Sequence, residues 1–185
     1  YYPKKDHKVH LLLKNDIKEN LESYVNPNNY KVETSDGKGQ LAGIPWLSVM
    51  DKNITTSTQR GFYVSYLFSR NARKLYLSIA LGATQFEDLY GANNKTTLKI
   101  QNATKQFLIN FTNYQPYEQK VDINLKNEED QNFSRIFTPA INRIVDYYEA
   151  GSFFTISYDL QDENFLTLDL VNDLYKYLDS YQRII

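Results

Sequence analysis

The rhythm of apolar and polar positions changes several times along this chain, and each change marks an element. From Lys8 to Val25, residues Val9, Leu12, Leu13, Ile17, Leu21 and Val25 recur at the spacing of one helix face, and Asn26-Pro27-Asn28-Asn29 ends the run. Lys31 to Gly43 is polar and carries glycines, after which Pro45 to Met50 reads as a strand. Two further strands, Gly61 to Phe68 and Leu75 to Leu81, flank the hairpin-length basic turn Ser69-Arg70-Asn71-Ala72-Arg73-Lys74, so the three form an antiparallel meander. Helical spacing returns from Thr84 to Asn113 through Phe86, Leu89, Leu98, Ala103, Phe107, Leu108 and Phe111, split by Gly91-Ala92-Asn93-Asn94 into a short and a long helix. Val121 to Leu125 alternates like a short strand, and Asn127 to Asn132 is a charged loop. A helix from Pro139 to Ala150 is stopped by Gly151, a strand follows from Phe153 to Tyr158, and Leu166 to Ile185 closes with a helix whose apolar face includes Leu168, Val171, Leu174 and Leu178. The expected class is α+β, a curved antiparallel β-sheet with helices packed against one side.

Side chains alternate between the two faces of a strand, so the central strands can be sorted by parity. Phe62, Val64, Tyr66 and Phe68, with Leu75, Leu77, Ile79 and Leu81, make core faces. The opposite faces carry Trp46 and Ser48, then Tyr63, Ser65 and Leu67, then Tyr76, Ser78 and Ala80. Small residues recur there between large flat ones. Such a face suits a planar heterocycle, with a floor of Ser and Ala under walls of Trp, Tyr and Leu. It equally suits a second, smaller core layer, since Trp and Tyr are commonly packed residues.

Composition narrows the function classes. The 185 residues, 42% hydrophobic and 15% aromatic, suffice for one packed domain, expected to span 1–185 and to be excised from a longer chain. With 21 basic against 22 acidic residues there is no global footprint for a polyanion, so any nucleic-acid contact must be local. The absence of cysteine excludes disulfides and thiolate chemistry, and no apolar run reaches the length of a membrane span; the expected setting is cytoplasmic, with no membrane partner.

Motifs for catalysis are scarce. Gly37, Gly39 and Gly43 are followed by a proline and a strand, whereas a dinucleotide fingerprint opens a helix. His7 and His10 join no zinc pattern. Asp88 with Glu118-Gln119-Lys120 faintly resembles the acidic-x-Lys arrangement of metal-dependent nucleases, and Glu128-Glu129-Asp130 reads as a loop. The expectation is no enzyme, no metal and no cofactor within these residues.

Gly37-x-Gly39, then Ile44-Pro45-Trp46, then Gly61 opening the strand Tyr63 to Leu67, resembles the N-terminal DNA-binding domain of the McrB family of modified-cytosine-dependent (type IV) restriction GTPases. The likeness is carried by the first half of the chain, and the remainder matches in the order of elements. It implies a reader that rotates a modified cytosine, 5-methyl- or 5-hydroxymethyl-, out of double-stranded DNA into an aromatic pocket. Carried over by position, that pocket is Trp46, Tyr63 and Leu67, with Ser65 on the same face. Lys38 stands where the family's loop carries an aromatic and Gln40 where it carries an amide; these two, with Arg60, Arg70, Arg73 and Lys74 around the loops of the three strands, are the expected contacts to DNA backbone and flanking bases. The implied partners are an AAA+ GTPase motor and a nuclease subunit, reached through the full-length protein. Two other readings remain open at this stage: a protein-interaction module using the same aromatic face, and a metal-dependent nuclease.

Overall fold

The computed structural model describes residues 17–35, 44–118, 121–126, 138–164 and 167–184. The sheet has five strands in the order of the chain: β1 (Tyr30–Ser35), β2 (Trp46–Asp51), β3 (Phe62–Phe68), β4 (Lys74–Leu81) and β5 (Ser152–Asp159), each antiparallel to its neighbours. The connection from β4 to β5 holds α2 (Thr84–Tyr90), α3 (Asn94–Phe111) and α4 (Pro139–Gly151); α1 (Lys18–Ser23) precedes the sheet and α5 (Thr167–Arg183) follows it. The fold is α+β, as expected. Of the helix read over Lys8 to Val25, only the part from Ile17 onward falls among the described residues.

Local chemistry sets the helix starts. Gly91 adopts φ 80° at the break, and the Asn93 side chain accepts the Lys95 N–H at 2.9 Å to start α3. At α4 the Thr138 hydroxyl accepts the Ile141 N–H at 3.3 Å, with Pro139 in the first turn where its missing N–H costs nothing.

The parity reading of the strands holds. Val64, Tyr66, Leu75, Leu77, Ile79 and Leu81 are buried in the main core, with Phe62 and Phe68 packed on it. α5 covers this face with Leu174, Tyr177, Leu178 and Tyr181. Its tyrosines are fixed at both ends: the Tyr181 ring meets Phe62 edge-on at 5.2 Å while its hydroxyl donates to the Phe62 carbonyl at 2.7 Å. Leu168, expected on that apolar face, is instead 65% exposed, because the buried stripe runs through the tyrosines. A register shift at Leu77/Ile79, opposite Phe154 with φ 51°, turns the successive residues Phe153 and Phe154 both into the core.

Two expectations need correction. Tyr30–Ser35 is an edge strand, although its polar sequence hides it: only Val32 is buried there. Val121 to Leu125 alternates yet joins no strand ladder. Its Val121, Ile123 and Leu125 pack with Ile44, Leu67, Tyr76 and Val145 in a second cluster on the sheet's other face, so the alternation records burial and not pairing.

Candidate nucleic-acid interface

The strand registers draw rows across that other face. Trp46, Leu67 and Tyr76 lie side by side, then Ser48, Ser65 and Ser78, then Tyr63 and Ala80. The serine row leaves a depression between two rows of large side chains. Over it sits a cavity of about 150 Å³, whose lining brings together Trp46, Tyr63, Ser65 and Leu67 with Ser48 and Ala80. The Ile-Pro-Trp run builds one end of this site: Ile44 is buried beside Leu67, the Pro45 carbonyl accepts the Phe68 N–H at 3.1 Å, and Trp46 is thereby set, half-buried, at the start of β2.

The remaining walls come from parts of the chain that strand parity does not reach. Thr58 and Gln59 form a rim, held by the Tyr63 hydroxyl donating to the Thr58 carbonyl at 2.8 Å and by the Gln85 N–H donating to the Gln59 carbonyl at 3.1 Å. Gly82 makes the rim possible, since a Cβ there would lie 2.4 Å from the Arg60 nitrogen. Tyr148 of α4 and Ser152 of β5 close the opposite side. Trp46 and Tyr148 both pack on the second cluster and line the cavity. Burial raises the phenols of Tyr63 and Tyr148 above their ordinary range, so both remain neutral at physiological pH. On the floor, the Ser48 and Ser65 hydroxyls are 3.3 Å apart and Ser65 donates to the Leu47 carbonyl at 3.2 Å, while the buried Ser78 hydroxyl has no partner among the described residues.

The model of the family described as MrcB-like, N-terminal domain, matches residues 2–185. The chain belongs to this family. Membership supports a DNA-binding role of the McrB type, in a restriction system, for a part of the protein that is not the catalytic one. Comparison with curated proteins gives no match.

In this MrcB-like domain the expected cations do not form one group. Adjacent connections of a meander lie at opposite ends of the sheet, so Arg60, before β3, is separated by the length of that strand from Arg70, Arg73 and Lys74, after it. Arg60 is paired with Asp88 at 3.3 Å. Arg70 is turned inward, its guanidinium donating to Asn142 Oδ1 at 2.9 Å and its backbone N–H to the Leu125 carbonyl at 2.8 Å. Arg73 and Lys74 are exposed. Lys38, Gln40, the three loop glycines, both histidines, Lys120 and the run from Glu128 to Asp130 lie outside the described residues. Glu118 is exposed, and among the described residues no group of three or more His, Cys, Asp or Glu could hold a metal ion. No described helix is long and apolar enough to cross a membrane.

Thr58, Gln59, Ala83, Thr84, Tyr148 and Ser152 are lining residues that sequence reasoning missed, and Leu81, placed by parity on the core face, also borders the cavity. The helical step from Val145 to Tyr148 marks a shared face of α4, but nothing in its pattern says which part of the sheet it covers.

Proposed function

We propose that residues 1–185 act as one DNA-reading unit that takes a flipped modified cytosine, 5-methyl- or 5-hydroxymethyl-, into the cavity walled by Trp46, Tyr63 and Leu67 over Ser65. The observation that carries this reading is the size and lining of that cavity, about 150 Å³ with aromatic walls and a hydroxyl floor. A protein cavity of about this volume takes up benzene, a single six-membered ring. A pyrimidine therefore fits, whereas the fused rings of a purine exceed it. Trp46 and Tyr63 supply stacking surface, which offsets the few kcal/mol needed to extrude a base, and Ser48 and Ser65 supply hydrogen-bonding groups for its polar edge.

Discrimination of the modification is modest by this account. A buried methyl contributes about 0.8 kcal/mol, a preference of about fourfold, and Leu67 and Ala80 are the apolar surfaces that would receive it. Arg73 and Lys74 are the exposed cations best placed to meet phosphates, and Lys38 and Gln40 are the proposed flanking contacts. With so few charges, affinity must come from several copies acting together, which fits work in the cytoplasm beside an AAA+ GTPase motor and a nuclease subunit. The domain itself performs no catalysis in this reading.

The test is fluorescence anisotropy on labelled duplexes carrying one 5-methylcytosine or plain cytosine, at low salt. Tighter binding of the methylated duplex, lost in Trp46→Ala with the fold intact, is expected. Equal binding of methyl, hydroxymethyl and plain duplexes, unaffected by Trp46→Ala, would remove the base-pocket reading and leave the aromatic face as a protein-interaction surface.

A further inference from the structure

Several of the hydroxyls that line the cavity have their protons engaged elsewhere. Ser65 carries a single hydroxyl hydrogen, which it donates to the Leu47 carbonyl at 3.2 Å, and its oxygen lies 3.3 Å from that of Ser48. A carbonyl can only accept, so both contacts are made together only when Ser48 donates to Ser65. The Tyr63 hydroxyl likewise donates to the Thr58 carbonyl at 2.8 Å, and the Ser152 hydroxyl to the Tyr148 carbonyl at 2.8 Å. The hydroxyl oxygens of Ser48, Ser65, Tyr63 and Ser152 therefore offer lone pairs, and no hydrogen, to the space they line. Ser48 and Ser65 are 1% and 2% exposed and form the floor, whereas the exposed Gln59 stands at the rim.

A base that enters from solvent is tied to its deoxyribose at N1, and the ring atom opposite N1 is C4. The group on C4 is therefore the one that reaches the floor. We propose that Ser65, with Ser48, determines specificity at this position: the floor accepts from a 4-amino group and refuses a 4-oxo group, so that cytosine bases enter and thymine or uracil do not. This inference rests on the base-pocket reading above. Thymine carries the same methyl group on the same ring as 5-methylcytosine, so the apolar surfaces of Leu67 and Ala80 cannot tell the two apart. They differ at N3 and C4 alone. An amino group at C4 donates to a floor oxygen. A carbonyl oxygen there meets only lone pairs and loses its water without a replacement donor, and one unsatisfied buried acceptor weakens binding by about tenfold or more.

The experiment is fluorescence anisotropy at low salt on duplexes that carry 5-methylcytosine or thymine opposite the same guanine. The thymine–guanine mispair opens more readily, so the cost of extrusion favours thymine, and tighter binding of 5-methylcytosine reports the floor. Wild type is expected to bind the 5-methylcytosine duplex about tenfold tighter than the thymine duplex. In Ser65→Ala the Ser48 proton loses its acceptor and is free to meet a 4-oxo group. The ratio is then expected to fall below about threefold, chiefly through tighter binding of the thymine duplex. Ser48→Ala leaves the Ser65 proton on the Leu47 carbonyl and is expected to keep the wild-type ratio. A general loss of fold weakens both duplexes alike, so the ratio separates it from specificity. A duplex with 5-methyl-2-pyrimidinone, which has hydrogen at C4, tests the floor without any substitution in the protein and is expected to bind between the other two. Equal binding of 5-methylcytosine and thymine by wild type overturns the role of the floor while Trp46→Ala still reports on the pocket. So does an unchanged ratio in folded Ser65→Ala, a ratio that falls in Ser48→Ala, or 5-methyl-2-pyrimidinone bound as tightly as 5-methylcytosine. A wild-type domain that does not prefer the methylated over the plain duplex overturns the pocket reading, and the role of Ser65 with it.

Discussion

Filling the cavity from its floor separates stability from recognition. Ala80 is 7% exposed, sits across from Tyr63 in the strand register, and lines the cavity. Ala80→Leu adds three carbons. At about 0.8 kcal/mol per buried methylene, those carbons contribute about 2.4 kcal/mol and fill roughly half of the cavity. Covering the Ser48 and Ser65 hydroxyls and seating a branched side chain between close neighbours cost about 1–3 kcal/mol in return. The net change in stability therefore lies between about 0.6 kcal/mol of loss and about 1.4 kcal/mol of gain, a shift in melting temperature of no more than about 6 °C for a protein of this size. Of the 150 Å³ available, too little then remains for a six-membered ring. Differential scanning fluorimetry beside duplex binding is the assay: near-native melting with loss of the preference for 5-methylcytosine is expected. An Ala80→Leu protein that melts like wild type and still discriminates would show that the base does not enter this cavity.

Two further outcomes follow from charge and pH. Removing the exposed cations together, Arg73→Ala with Lys74→Ala, should weaken modified and plain duplexes equally and reduce the slope of log K against log salt by about 2; an unequal loss would place these side chains at bases and not at phosphates. Burial raises the Glu149 carboxyl above its ordinary value, with the Leu125 N–H and the Lys126 charge opposing, so the folded protein keeps this proton to higher pH than the unfolded chain. Stability from this group is present at low pH and is lost as pH rises above 4.5, so Glu149→Gln should gain in melting temperature over wild type between about pH 4 and about pH 7; a difference that does not grow with pH would refute it.

The meander was legible because the two faces of β3 and β4 differ in side-chain size as well as polarity: Val64, Leu77 and Ile79 on one, Ser65, Ser78 and Ala80 on the other. The same contrast pointed to Trp46, Tyr63, Ser65 and Leu67, which the fold gathers around one cavity. β1 was hidden because an edge strand buries little, and Tyr30 to Ser35 keeps only Val32 inside. Val121 to Leu125 was mistaken for a strand because burial against Ile44 and Val145 imposes the same alternation as a ladder. Proximity in sequence also misled for Arg60 and Arg70, ten positions apart yet at opposite ends of β3. Tyr148 was out of reach because its place in the cavity wall depends on where a helix lands after a long crossover, which no local pattern encodes.

The cavity has two parts with different histories during folding. Its floor is made by neighbouring hairpins, β2 to β4, whose contacts are short in sequence and form at small loop-closure cost, whereas Tyr148 and Ser152 arrive only when the chain returns after α2 and α3. Local opening of α4 would leave the meander standing but remove one wall, at a free energy below that of global unfolding. On the base-pocket reading, the capacity to hold a base requires the crossover to be docked as well as the meander formed, which makes ligand binding a stricter report of complete folding than any measure of sheet content.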